Sequence, residues 1–223
     1  MKRIGLLLAI ALVLCLSATS AQATLLSITD DFGSYETIPQ NATNDLLVSI
    51  YGPGTTDRYG YFGSTVQLTA PAYLTFTFLG FEAGYDNDFY LEPFGQLFST
   101  EDYGSNTVMG IEVLEGPFYL AAGVIPFSFS INNVPSLANG SNLDDWLSDV
   151  GVNFFVSFDG DPEAKAGNSL VVFLDDGGAG PDDDHDDFAV RIQASPVPEP
   201  ATMLLLGTGL LGLAGLRRKF RRK

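Results

Sequence analysis

Cysteine, histidine and tryptophan each occur once in the 223 residues, at Cys15, His185 and Trp146. Cys15 lies in what reads as a secretory leader: Lys2 and Arg3 form a basic start, Ile4 to Leu16 an apolar run, and Ala21-Gln22-Ala23 a small-x-small cleavage site, so the mature chain is expected to begin near Thr24. Leu14 stands before Cys15 where a lipoprotein signal needs a small residue. Loss of the leader removes the only thiol. It excludes disulfides, a cysteine nucleophile and a thiolate metal site, even in an oxidising compartment. The sequence also lacks G-x-S-x-G, H-E-x-x-H and P-loop patterns, which argues against the common hydrolase, zinc and phosphate-loop sites. His185 sits among five aspartates, where a surface, charge-linked imidazole with a raised pKa is expected, a poor general base near neutrality.

Cations are the next scarcity. Between the leader and the C-terminal tail the only ones are Arg58, Lys165 and Arg191, against 26 carboxylates, a formal charge of −23. Such a body repels nucleic acid and anionic head groups and favours solubility or cation binding. It is not an acidic disordered tract, because aromatic and β-branched residues are plentiful. About 170 residues suffice for one domain with its own core.

The prevailing period is two. Ala72 to Phe81 alternates Leu74, Phe76 and Phe78 with Thr75 and Thr77, a strand with one buried face. Similar runs are read at Asp45 to Tyr51, Thr107 to Leu114, Phe118 to Ile125, Pro126 to Ile131, Val152 to Phe158, Leu170 to Leu174 and Phe188 to Ala194, separated by Gly, Pro, Asn and Asp clusters. This predicts an all-β fold, an antiparallel β-sandwich or jelly roll. Ser141 to Val150 is the one expected helical turn, with Trp146 as a core or staple residue.

The densest chemistry lies in Asp175, Asp176, Asp182, Asp183, Asp184, Asp186 and Asp187, seven carboxylates in thirteen residues. Oxygen clusters bind hard cations, and the D-x-D-x-D spacing of Asp182, Asp184 and Asp186 lets a tight loop turn carboxylates toward one ion. Asp175, Asp176, Asp182, Asp184, Asp186 and Asp187 are therefore candidate calcium ligands. The alternative is a solvated acidic hairpin neutralised by counterions. The loop is not an EF-hand: counting from Asp182, position six is Asp187 and position twelve Gln193. Asp159, Asp161 and Glu163 form a second acidic run read first as a turn, as do Asp86 and Asp88.

The last residues combine three instructions. Pro198, Glu199 and Pro200 read as an extended stub after Val197, Ala201 to Leu216 is apolar and uncharged, and six of the last seven residues are Arg or Lys. Sixteen residues at about 1.5 Å each give roughly 24 Å, short of a roughly 30 Å hydrocarbon core, so a span needs snorkelling flanks or a thinned bilayer.

This order resembles the PEP-CTERM sorting signal of Gram-negative bacteria, carried here by Val197, Pro198, Glu199, Pro200, Arg217, Arg218 and Lys219. The resemblance implies recognition by exosortase, a membrane-embedded cysteine transpeptidase. The other reading is a plain C-terminal anchor behind a proline-rich stalk. Phe78 to Leu91 and Val171 to Ile192, each a strand followed by an acidic glycine-containing loop, resemble stretches of exported β-rich domains bearing that tail, a domain type without assigned activity.

The expected organisation is a signal peptide over 1–23, a β-sandwich domain over 24–195, a linker with the Pro-Glu-Pro motif over 196–200, a transmembrane helix over 201–216 and a cytoplasmic basic tail over 217–223. The expected function is that of a non-enzymatic surface or matrix protein associated with exopolysaccharide or biofilm. It would be membrane-anchored facing the periplasm and then sited at the cell surface. The alternative is a calcium-dependent, lectin-like carbohydrate-binding module in which exposed tyrosines stack on sugars.

Overall fold

Side-chain alternation along the strands decides which face of a sheet each residue covers. The computed structural model describes residues 24–29, 34–39, 43–142, 151–177, 184–198 and 207–209. Its strands in chain order are β1 (Leu26–Thr29), β2 (Tyr35–Ile38), β3 (Arg58–Tyr61), β4 (Thr65–Leu68), β5 (Ala72–Glu82), β6 (Asn87–Leu91), β7 (Gly95–Ser99), β8 (Thr107–Leu120), β9 (Gly123–Val124), β10 (Phe127–Ile131), β11 (Val134–Ala138), β12 (Asn153–Phe158), β13 (Ala166–Gly167), β14 (Ser169–Asp175) and β15 (Phe188–Pro196). A helix, α1 (Asp45–Tyr51), lies between β2 and β3.

The strands form a seven-stranded sheet, β2-β3-β12-β14-β15-β5-β8, and two four-stranded sheets, β13-β1-β4-β9 and β11-β10-β6-β7. All pairings among the described strands are antiparallel. The fold is all-β.

The central strands of the large sheet are buried on both faces, while the edge strand β8 is largely exposed. Leu170, Val172 and Leu174 of β14, Phe154, Val156 and Phe158 of β12, and Phe188, Val190 and Ile192 of β15 share one core with Leu26, Val66, Phe89 and Phe129 of the two smaller sheets. The intervening Val171, Phe173, Phe155 and Ala189 pack on the opposite face with Leu46 and Leu47 of α1. The largest fully buried side chains are all phenylalanines. Each contributes about 1.5–3 kcal/mol by leaving water, which lets a cysteine-free body hold together by packing alone.

Asp45–Tyr51 is helical and not a strand as its apolar content suggests. Leu46 and Leu47 are buried and Ile50 and Tyr51 pack beside them, the three-to-four spacing of one helix face. Asn44 caps the first turn by accepting from the Leu47 amide at 3.0 Å. The expected strands Thr107 to Leu114 and Phe118 to Ile125 are largely one strand, β8, followed by the short β9. Of the expected helical turn, residues 143–150 including Trp146 lie outside the described residues. Asn142 clamps β12, accepting from the Phe154 amide at 2.9 Å and donating to the Phe154 carbonyl at 2.7 Å.

Gly80 shows where the sheet tolerates no side chain. It has φ +133 at an irregularity in both of β5's pairings, and a Cβ there would run into the Val108 carbonyl oxygen. Among the described residues no helix is long and apolar enough to cross a membrane. Residues 201–206 and 210–216 of the expected span lie outside the described residues.

Candidate functional site

The β14–β15 hairpin carries the acidic loop at one end of the large sheet. Asn153 pairs with Asp175, and Leu174 with Phe188, so the ends of β12, β14 and β15 share that edge. The Glu82 amide donates to the Asp186 carbonyl at 2.8 Å, which brings the end of β5 there too.

The fold divides the candidate ligands into two groups. Asp176 is buried, accepts from Asn87 Nδ2 at 2.9 Å, and its own amide donates to Asp187 Oδ2 at 2.8 Å. Asp175 turns back on its own loop, accepting from the Gly177 amide at 2.7 Å. Asp184 and Asp186 belong to the other side. Asn44 Nδ2 donates to the Asp184 carbonyl at 2.7 Å, and the amide of Asp45, at the start of α1, reaches Asp186 Oδ2 at 3.4 Å. Asp182 and Asp183 lie outside the described residues. Among the described residues no three His, Cys, Asp or Glu side chains converge as a metal would require.

Burial and like charge set the electrostatics. Burial first, then the neighbouring Asp176, raises the Asp187 pKa to about 9. Burial, then the carboxylate of Asp184, does the same for Asp186, also to about 9. Among the described residues, one oxygen nearby has no partner: Asn87 Oδ1 is buried without a hydrogen bond, although the same amide group donates to Asp176.

His185 overturns the expectation of an exposed, charge-linked imidazole. It is fully buried, and burial lowers its pKa to about 3. Its ring meets Phe62 edge-on at 5.1 Å and Phe155 at 6.3 Å. Nε2 lies 2.7 Å from Asn153 Oδ1, and Asn153 Nδ2 faces the Gly151 carbonyl at 3.2 Å. An acceptor there requires Nε2 to carry the proton, so the neutral ring is the fitting form. The left-handed backbone of His185, φ 58, accompanies the inward-turned ring. The residue pins the loop to the sheet.

The second acidic run is structural. Asp159 accepts from Ser169 Oγ at 2.5 Å and from Arg191 Nε at 3.0 Å, and Asp161 accepts from the Glu163 amide at 3.1 Å in a local turn. Asp88 accepts from Gln96 at 3.1 Å. The three body cations are likewise engaged. Arg58 donates to Ser157 and the Phe158 carbonyl and lies 4.1 Å from the Tyr51 ring, Lys165 lies 5.4 Å from the Tyr61 ring, and Arg191 bridges Asp159 and Glu112. Sequence reasoning missed Asn87 and Asn153, amides whose partners lie 89 and 32 residues away.

The sorting segment begins where β15 ends. Pro196 pairs with Ala72, Val197 is half-buried and Pro198 exposed, while Glu199, Pro200, Arg217, Arg218 and Lys219 lie outside the described residues. No curated protein and no solved structure matches the chain. A family model for the PEP-CTERM protein-sorting motif matches residues 196–219, the segment that follows the last strand. The chain therefore carries a PEP-CTERM sorting motif, which implies export and handling by exosortase in a Gram-negative bacterium.

Proposed function

We propose that this chain is a non-enzymatic surface or extracellular-matrix protein, delivered by its sorting motif and associated with exopolysaccharide or biofilm. The observation that supports this reading is the position of the motif at 196–219, starting at the last residue of β15; with the tail as the membrane segment, the whole β body would lie on its exported side. In this reading residues 1–23 are a signal peptide, the sheets form a sandwich, and residues 201–216 cross the membrane with the basic end inside. The charge of the body supports a role among hydrated polymers and cations. Mass spectrometry of the protein from its native host tests this: a C-terminus between Pro198 and Ala201 is expected, and an intact Arg-rich end would overturn processing and leave an anchor only.

The buried, unpartnered Asn87 Oδ1 beside Asp176 favours a second reading, a calcium-dependent carbohydrate-binding module. An ion there would take amide and carboxylate oxygens and offset the burial and the neighbouring Asp176 charge that raise the Asp187 pKa. Millimolar calcium should then raise the melting temperature, because a ligand bound to the native state stabilises it. A glycan array with and without calcium should show retention only with the metal. No thermal shift would end the reading.

A further inference from the structure

The two ends of the β body leave it at one corner. The Thr69 amide donates to the Leu25 carbonyl at 2.9 Å, and Thr69 Oγ1 donates to the Thr24 carbonyl at 2.8 Å. Pro196 pairs with Ala72, which also pairs with Leu120 of β8, and Leu68 pairs with Gly123 of β9. The start of the mature chain, the β4–β5 turn, the β8–β9 connection and the exit of the sorting segment thus lie together.

This corner gathers three uncharged segments in a strongly acidic body, and Asp159 flanks them, its amide donating to the Ser169 carbonyl next to Asn168. Residues 66–74, 116–127 and 192–198 contain no Asp, Glu, Lys or Arg. Its surface is apolar or aromatic: Tyr119 is 54% exposed and Val124 53%, and Pro71, Ala121, Ala122 and Pro196 are also exposed. The acidic loop occupies the other end of β5, whose eleven residues span roughly 36 Å.

We propose that this corner is a membrane-facing surface that rests on the lipid headgroup layer while the sorting segment is engaged. The inference deepens the anchored state put forward above and rests on it. From Pro196 to the apolar run at Ala201 is five residue steps, at most about 18 Å of extended chain. Headgroups account for roughly 5–8 Å of that length, so the tether holds the corner at or just above the bilayer surface. Tyrosine and small apolar side chains suit this layer, whereas the acidic end would be repelled by anionic lipid. Polarity along the strands therefore orients the body with the corner down and the acidic loop outward.

The cysteine-free mature chain allows clean labelling. Residues 24–223 carrying Ala122→Cys or, at the far end, Glu101→Cys would be coupled to a fluorophore and reconstituted into phosphatidylethanolamine–phosphatidylglycerol vesicles bearing a headgroup quencher. Severalfold stronger quenching at position 122 than at 101 is expected. Adding Ala122→Asp to a Val124→Asp chain labelled at Tyr119→Cys should abolish the excess at 119 with an unchanged melting temperature. Flotation separates the possible failures. Protein that does not float with vesicles overturns the anchored state and this surface with it, whereas protein that floats but quenches equally at both ends overturns the surface alone and points to a protein partner for the corner.

Discussion

The backbone amides of Leu25 and Ala194 are both held by Asn168, whose side-chain oxygen takes the first and whose carbonyl takes the second, each at 2.8 Å. One residue of the β13–β14 connection thereby ties the segment leading into β1 to the last strand. The Leu25 amide also reaches the Gly167 carbonyl at 3.1 Å, so the side-chain bond is partly duplicated. Asn168→Ala is expected to cost about 0.5–1.5 kcal/mol, a fall of roughly 1–6 °C in melting temperature for a domain of this size. Hydrogen exchange should accelerate at Leu25 and stay slow at Val172; equal acceleration at both would show that the corner is not a separate local unit.

Acid should loosen the His185 latch. The folded state holds this proton only near pH 3 against 6.5 for the ordinary imidazole, so between those values the unfolded chain binds more protons. Stability from this group is present above pH 6.5 and is lost as pH falls toward 3. His185→Asn, a residue that accepts positive φ, should destabilise by about 2–4 kcal/mol through lost ring packing. It should also flatten the slope of urea-unfolding free energy over that window, and an unchanged slope would contradict the assignment.

Alkali should act through the carboxyls. Asp186 and Asp187 have folded pKa values raised to about 9 from 3.8, so the native state holds the extra protons. Their contribution is fully present below pH 3.8 and is lost as pH rises toward 9, in metal-free buffer. His185 opposes this trend below pH 6.5, which leaves pH 6.5 to 9 as the clean interval. There, unfolding free energy should fall by on the order of 1 kcal/mol per pH unit. Asp187→Asn should reduce that slope and raise stability at pH 8.

Gly80→Ala should be costly. The added methyl meets the Val108 carbonyl, a backbone atom, in a conformation that L residues rarely adopt, and a loss above about 2 kcal/mol is expected. Gly104→Ala, at φ +61 in open space, should cost only about 1 kcal/mol. Urea denaturation of the two variants side by side checks the contrast.

The strands that proved legible in the sequence are those where alternation separates two environments. β5, β12, β14 and β15 match their expected positions within about two residues: alternate residues of β12, β14 and β15 enter different cores, and in β5 Leu74, Phe76 and Phe78 enter one core while Thr75 and Thr77 stay out of it. DLLVSIY misled because seven apolar-rich residues fit either period; the available cue was Asn44 as a cap. The acidic loop was visible as a concentration of charge, but its division was not. Spacing places Asp184 and Asp186 on one turn, and only the tertiary contacts of Asn44 and Asn87 show which carboxylates stay apart. His185 failed for the same reason, since five aspartate neighbours in sequence do not reveal the direction of a ring on a positive-φ backbone. The sorting motif needed no fold, because its recognition elements are consecutive.

The position of β15 has a mechanical consequence. It lies between β14 and β5 and pairs along most of its length with both, and it leads without interruption into the sorting segment. A pull on that segment, from a membrane or a matrix, loads β15 along its own axis. The ladders on its two flanks then resist in shear, many bonds at once, instead of peeling apart one by one. A body suspended by that segment would hang from a strand held on both flanks.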